Sequence, residues 1–107
     1  MKPIEFPFDT DRFFQKYAKQ NRLPKNDFEK QAILLRIIKE FKVNQDFEES
    51  EVNQVIKKSF EDFALLRREL INFGYLKRNP ETGICRVAKT TLTNDDIRKN
   101  TLLRTQV

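Results

Sequence analysis

The segment from Asn26 to Phe41 constrains the fold more than any other part of the chain. Apolar Phe28, Ala32, Leu35, Ile38 and Phe41 recur at helical spacing, and Ile33, Leu34 and Ile37 widen the stripe. A period of about 3.6 residues predicts an α-helix. An apolar surface over much of its circumference predicts that this helix lies at the centre of the core. Asn26 followed by Glu29 has the spacing of a capping box, and Pro24 just before it suits a start there. The expectation is one continuous helix over 26–41, with Leu35 and Ile38 in the core beside Leu66 and Leu70.

Two shorter helices are expected downstream. One runs from Glu49 to about Lys58, with Val52, Val55 and Ile56 on one face and Glu48, Glu49 and Glu51 near the positive end of its macrodipole. Ser59 and Asp62 form a second capping signature. It opens a helix that carries Phe63, Leu66, Leu70 and Phe73 on one face and stops at Gly74. The pattern then changes to Tyr75-Leu76-Lys77-Arg78, a turn-rich stretch at 79–83, and Ile84-Cys85-Arg86-Val87, which reads as a β-hairpin with a five-residue loop. Asn21-Arg22-Leu23 is expected as a short third strand beside it. Phe6 to Lys19 predicts a helix from about Thr10, and Asn94 to Leu103 a weak C-terminal helix carrying Ile97 and Leu102.

The expected fold class is therefore mainly α with a small β-hairpin (α+β), in the element order of a winged helix, a variant of the helix-turn-helix scaffold. The 107 residues fit one domain over 1–107, its core at about 22–87, with an aromatic-rich helical extension before it and a tail after it.

Composition excludes several function classes. Apolar residues make up 38% and charged residues 35%, the balance of a globular protein with a charged surface. The longest apolar stretches fall far short of the ~20 residues of a membrane span, so no membrane role is expected. Glu5, Asp9 and Asp11 stand where a signal peptide has its apolar centre, which makes a cytoplasmic location the expectation. With one Cys and no His, the chain lacks the usual metal-ligand set, and no metal or cofactor is expected. No catalytic residues are expected either. There is no His base and no Gly-rich phosphate loop, and Cys85 lies on a predicted strand without a partner base.

Charge is segregated along the chain. Residues 1–42 hold ten Lys/Arg against six Asp/Glu, residues 43–66 two against six, and residues 67–107 nine against four. A basic C-terminal half attracts phosphate, although a mildly basic balance also occurs without any specific partner.

Four short pieces in one order carry a resemblance: Arg22-Leu23-Pro24-Lys25, Glu51-Val52-Asn53, Asp62 with Leu66-Arg67-Arg68-Glu69-Leu70, and Gly74, Leu76, Arg78 and Gly83. Over about residues 22–87 the chain resembles an uncharacterised bacterial domain family of unknown function, often appended to helix-turn-helix transcriptional regulators. The resemblance implies a winged-helix-like module associated with transcription regulation, with no established biochemical activity. The chain departs from it at Glu48, where similar sequences often carry a Thr cap, and after Gly83, where they have a Tyr.

In a winged helix on duplex DNA, the third helix enters the major groove and the wing follows the phosphate backbone. Arg67 and Arg68 are then the helix contacts, and Lys77, Arg78 and Arg86 the wing contacts. Arginine suits both tasks because its planar fork grips phosphate or a guanine edge. The competing reading pairs Arg67 and Arg68 with acidic neighbours, either Glu61, Asp62 and Glu69 or the acidic second helix. An acidic start to the third helix also argues against sequence-specific reading, so any DNA binding should rest on phosphate contacts. The alternative function is partner binding, to a regulator protein or a second copy as a homodimer. Its candidates are Phe6, Phe8, Phe13, Phe14 and Tyr17, since aromatic residues are enriched in interface hot spots. The plainer reading is that the same five residues close the core, since a domain this small needs the apolar area.

Overall fold

The apolar segment that dominates the sequence forms α2 (Asp27–Ile38) in the computed structural model, which describes residues 2–100 and Leu103. Asn26 caps it, its side-chain oxygen accepting from the Glu29 backbone N–H at 2.9 Å. The helix stops short of Phe41. The amides of Glu40 and Phe41 bond three residues back, to Ile37 and Ile38, so the chain tightens into turns and delivers the Phe41 ring to the core from there. Ile33, Leu34, Ile37 and Ile38 are enclosed. Leu35 is not: it is only half-buried, because its side of the helix borders a surface groove.

Helix α1 (Thr10–Gln20) packs along α2. Asp9 caps its start, accepting from the amides of Asp11 and Arg12. Asn21 ends it in the left-handed region, at φ 55°, a conformation Asn tolerates better than most residues. The expected strand at Asn21-Arg22-Leu23 is thereby replaced by a helix cap. The Asn21 side chain accepts from the Glu61 amide at 2.8 Å and ties this corner to the turn before the fourth helix.

Helix α3 (Glu49–Lys57) begins where its acidic turn predicts, with the Glu51 carboxylate accepting from the Glu48 amide at 3.0 Å. Helix α4 (Phe63–Asn72) starts a turn later than a Ser59 cap would place it. The amides of Ser59 and Phe60 close the end of α3 on the Ile56 carbonyl, and Phe60 is buried. Asp62 is the cap instead, accepting from the Leu65 amide at 3.2 Å.

The exit from α4 aims the chain into the hairpin. Gly74 sits at φ 84°, its amide bonds the Ile71 carbonyl, and the Tyr75 amide bonds the Leu70 carbonyl at 2.9 Å. This is the Schellman pattern, in which a residue free to adopt positive φ turns the chain out of the helix. Strands β1 (Leu76–Arg78) and β2 (Cys85–Val87) come next, paired antiparallel with Lys77 opposite Arg86. The connection is one residue longer than expected, running over 79–84, and Asn79 braces it by accepting from the amides of Glu81 and Thr82. The chain segment that does extend the hairpin is at Phe47, which exchanges two 2.8 Å backbone bonds with Cys85.

Helix α5 (Asn94–Lys99) forms within the expected C-terminal stretch and buries Ile97. Leu102 lies outside the described residues. Pro3 pairs with Thr93 in an isolated bridge, and the Ile4 amide reaches the Leu92 carbonyl, so the two flanking segments meet. The architecture is thus mainly helical with a small antiparallel sheet, five helices and two strands among the described residues. None of these helices is long and apolar enough to cross a membrane.

One polar pair lies inside the core. The Tyr75 hydroxyl donates to the Gln31 side-chain oxygen at 2.7 Å, the Gln31 amide donates to the Asp27 carbonyl at 2.9 Å, and both side chains are fully enclosed. Burial pushes the Tyr75 phenol well above its ordinary value, with the Asp96 carboxylate adding to the effect. Lys30 bonds Glu69 at 2.6 Å and Asp27 at 3.1 Å, linking α2 to α4. Burial draws the Lys30 ammonium down, but its bonds to the two carboxylates outweigh that and hold it above the usual lysine value.

Replacing Leu70 with Ala should cost about 2–5 kcal/mol, as for other enclosed leucines. Tyr75→Phe should cost about 1–3 kcal/mol at neutral pH, because Gln31 is left with an unmet buried acceptor. Both groups with raised values stabilise the fold fully below their unfolded pKa, near 10, and lose that contribution as pH rises through the folded value. Denaturant titrations across the alkaline range should therefore show stability falling with pH in the wild type and falling less steeply in Tyr75→Phe.

Candidate nucleic-acid interface

The fold brings the end of the apolar stripe on α4, the hairpin and the start of α3 to one side of the molecule. Leu66, Leu70 and Phe73 turn inward, which leaves Arg68 on the solvent side of α4 and Arg67 at the boundary. The sequence treats these two arginines alike, and the structure separates them. Arg67 donates to the Asn53 side-chain oxygen and approaches the Glu49 carboxylate at 3.4 Å, both on α3. Its side chain is 20% exposed, so it serves mainly as a bridge between α3 and α4. Arg68 is exposed and makes no ion pair with any described residue.

On the hairpin, Leu76 and Cys85 are buried, while Lys77 and Arg86 share the outer side. Two cations directly opposite each other are locally unfavourable in a sheet. Arg86 is eased by Asp46, whose carboxylate lies 2.8 Å from its Nε, and Lys77 has no acidic partner among the described residues. Arg78, on the inner side opposite Cys85, lies 3.6 Å from the same Glu49 that faces Arg67. A shallow depression of about 690 Å³ runs along the hairpin, bordered by Asp46, Lys77, Arg78 and Arg86 with the loop residues. All five expected cations therefore lie on α4 and the hairpin, but only Arg68 and Lys77 are unpaired among the described residues.

Of the two carboxylates that attend this site, Glu49 lies on the acidic second helix that the sequence offered as a partner for Arg67, but its reach to Arg78 and the whole role of Asp46 were missed. Glu49 stands in the sequence as one of several acids in a helical first turn. Asp46 lies in a segment with no regular pattern. The Phe47 bridge to Cys85 carries it to Arg86, and that pairing is invisible to local periodicity.

The acidic turn before α4 keeps its character. Glu61 and Asp62 are exposed, and the helix itself opens with Phe63, Ala64 and Leu65, all half-buried. None of these three offers a polar side chain to a base edge. Cys85 is enclosed beneath the hairpin, and burial pushes its thiol upward. Among the described residues, no three His, Cys, Asp or Glu side chains converge in a way that would hold a metal.

The aromatic candidates stand away from this face. Phe13 stacks on Phe8 with centroids 4.4 Å apart, Tyr17 lies 4.8 Å from Phe13, and Phe6 joins Phe8 to Phe28 on α2. Phe14 meets Phe60 edge-on at 5.8 Å. All five are half-buried, and Phe13, Phe14 and Tyr17 pack directly against the core. Beside them a groove of about 510 Å³ opens between the N-terminal segment and α2, with Ala32, Leu35 and Leu92 in its floor and Phe6 and Phe8 in its wall.

Residues 20–86 match the model of a family of uncharacterized proteins conserved in bacteria, DUF2087. The match spans more than half of the chain, which belongs to that family. No curated protein and no solved structure matches the chain.

The two α4 arginines should respond differently to truncation. Arg67→Ala removes the bridge to Asn53 and Glu49 and should lower stability by about 1–2 kcal/mol, the hydrogen bond to a charged group being discounted for partial exposure. Arg68→Ala should stay within about 0.5 kcal/mol of the wild type in the same denaturation assay.

Proposed function

We propose that this member of the family is a winged-helix module that binds nucleic acid without catalysis, through phosphate contacts from Arg68, Lys77 and Arg86, in the setting of transcription regulation. The observation that carries this reading is the cross-strand pair of Lys77 and Arg86. Opposing two cations on the solvent side of a hairpin is unfavourable, and Asp46 offsets only Arg86, so the uncompensated Lys77 beside it favours an external anion. Arg68 on the neighbouring helix adds a third cation. The order α3, α4, hairpin, with Phe47 pairing on the hairpin, suits a winged helix in which α4 approaches the groove and the hairpin lies along the backbone.

Such an interface binds by charge and discriminates bases poorly. The opening residues of α4 are apolar and the turn before them is acidic, so the helix end that usually reads base edges has little to read with. Binding of this kind weakens steeply with salt.

A second reading is supported by the groove beside Phe6 and Phe8. Its apolar floor and aromatic wall suit a protein partner, either a regulator or a second copy of the chain, with the same aromatic residues at the contact.

Fluorescence anisotropy with random-sequence duplex DNA at several salt concentrations tests the first reading. Each phosphate contact contributes about −0.9 to the slope of log K against log salt, so the double variant Arg68→Ala, Lys77→Ala should flatten the slope by roughly 1.8. Absence of binding at low salt by a folded wild type would remove this reading and leave the groove as the lead.

A further inference from the structure

We infer that Glu49 and Asp46 are built-in counter-ions of the cationic face, occupying Arg78 and Arg86 in the free protein and setting how much of that face is available to a polyanion. The inference rests on the phosphate-binding reading above and assigns its regulation to two carboxylates from the acidic middle of the chain.

The geometry separates these contacts from structural ion pairs. Lys30 and its two carboxylates are 13–19% exposed, with bonds of 2.6 and 3.1 Å, and such a pair belongs to the fold. Glu49 and Arg78 are 44% and 40% exposed, and their closest approach is 3.6 Å, beyond a good hydrogen bond. Asp46 and Arg86 are closer, at 2.8 Å, but 63% and 59% exposed. Pairs as wet as these contribute little to stability. An incoming phosphate can therefore take either guanidinium at small cost to the fold. Glu49 is the stronger control because one carboxylate faces two arginines, Arg67 at 3.4 Å and Arg78 at 3.6 Å. Arg67 stays on Asn53 when Glu49 is neutralised, so the cation released is chiefly Arg78.

The experiment compares Glu49→Gln and Asp46→Asn with Glu61→Gln. Each removes one negative charge, and Glu61 forms no ion pair with any described residue. Retention on heparin, a sulfated polyanion, reads the available cationic surface whether or not the natural ligand is a nucleic acid. Glu49→Gln and Asp46→Asn should elute at higher salt than Glu61→Gln. On duplex DNA at low salt, Glu49→Gln should bind about two- to fivefold more tightly than the wild type, the range that an exposed ion pair commands, with a salt slope steeper by about 0.9. Equal heparin elution of all three folded variants would overturn the inference. Later elution of the two site variants, with no duplex binding by any protein, would keep the counter-ion assignment and remove the nucleic-acid reading. Circular dichroism establishes that each variant is folded, and Asp46, in an exposed loop, provides the test if Glu49→Gln disturbs α3.

Discussion

The hydrogen bond from the Tyr75 hydroxyl to Gln31 joins the central helix to the first residue of the hairpin segment, in a part of the core closed to solvent. Gly74 turns the chain out of α4 immediately before it. A buried acceptor without a donor is costly, so the phenol can sit in one place only, and Leu76 and Cys85 then fill the space beneath the hairpin. The alternation of a strand does the rest: with Leu76 inward, Lys77 points outward, and the register sets Arg86 opposite it. The direction of the cationic side chains is thus a consequence of an uncharged core contact.

Much of this was legible in the residues themselves. The helical period of the 26–41 segment, the Asn26 cap, the Gly74 stop and the turn-rich 79–83 stretch are local signals, and each produced an element of the expected type, although α2 ends at Ile38 rather than Phe41 and the hairpin loop runs on to residue 84. The failures are where two local signals competed or where the deciding partner was distant. Ser59 with Asp62 three residues on read as one capping signature, yet the end of α3 takes the Ser59 and Phe60 amides and Asp62 is itself the cap. Asn21 lost its strand to a left-handed cap and a bond to Glu61, forty positions away. Leu35 met the period of the stripe, yet the N-terminal segment and residues 90–92 meet over a groove at that point.

The candidate site shows the same division. Composition identified the basic residues but not which would remain available, because pairing is decided by α3 and the 46–47 segment folding against the hairpin. Arg67 and Arg68 are adjacent in sequence, and a helical step of about 100° puts one at a packed boundary and the other in water. The aromatic N-terminal residues were open to two readings. Their ring-to-ring contacts reach Phe28 and Phe60 and so close the core, while Phe6 and Phe8 also line the groove. The opposed cations favour the hairpin over that groove, since packing accounts for the aromatics, whereas Asp46 offsets Arg86 and leaves Lys77 opposite it without a counter-charge among the described residues.

Chemical-shift mapping of the backbone amides during titration with a random-sequence DNA duplex addresses the central claim most directly. The account predicts perturbations concentrated at Arg68, at 77–86 and at the 46–49 segment, disappearing as salt is raised, with the groove residues Phe6, Phe8 and Leu35 unaffected. Perturbations centred on that groove, or none at low salt, would contradict it.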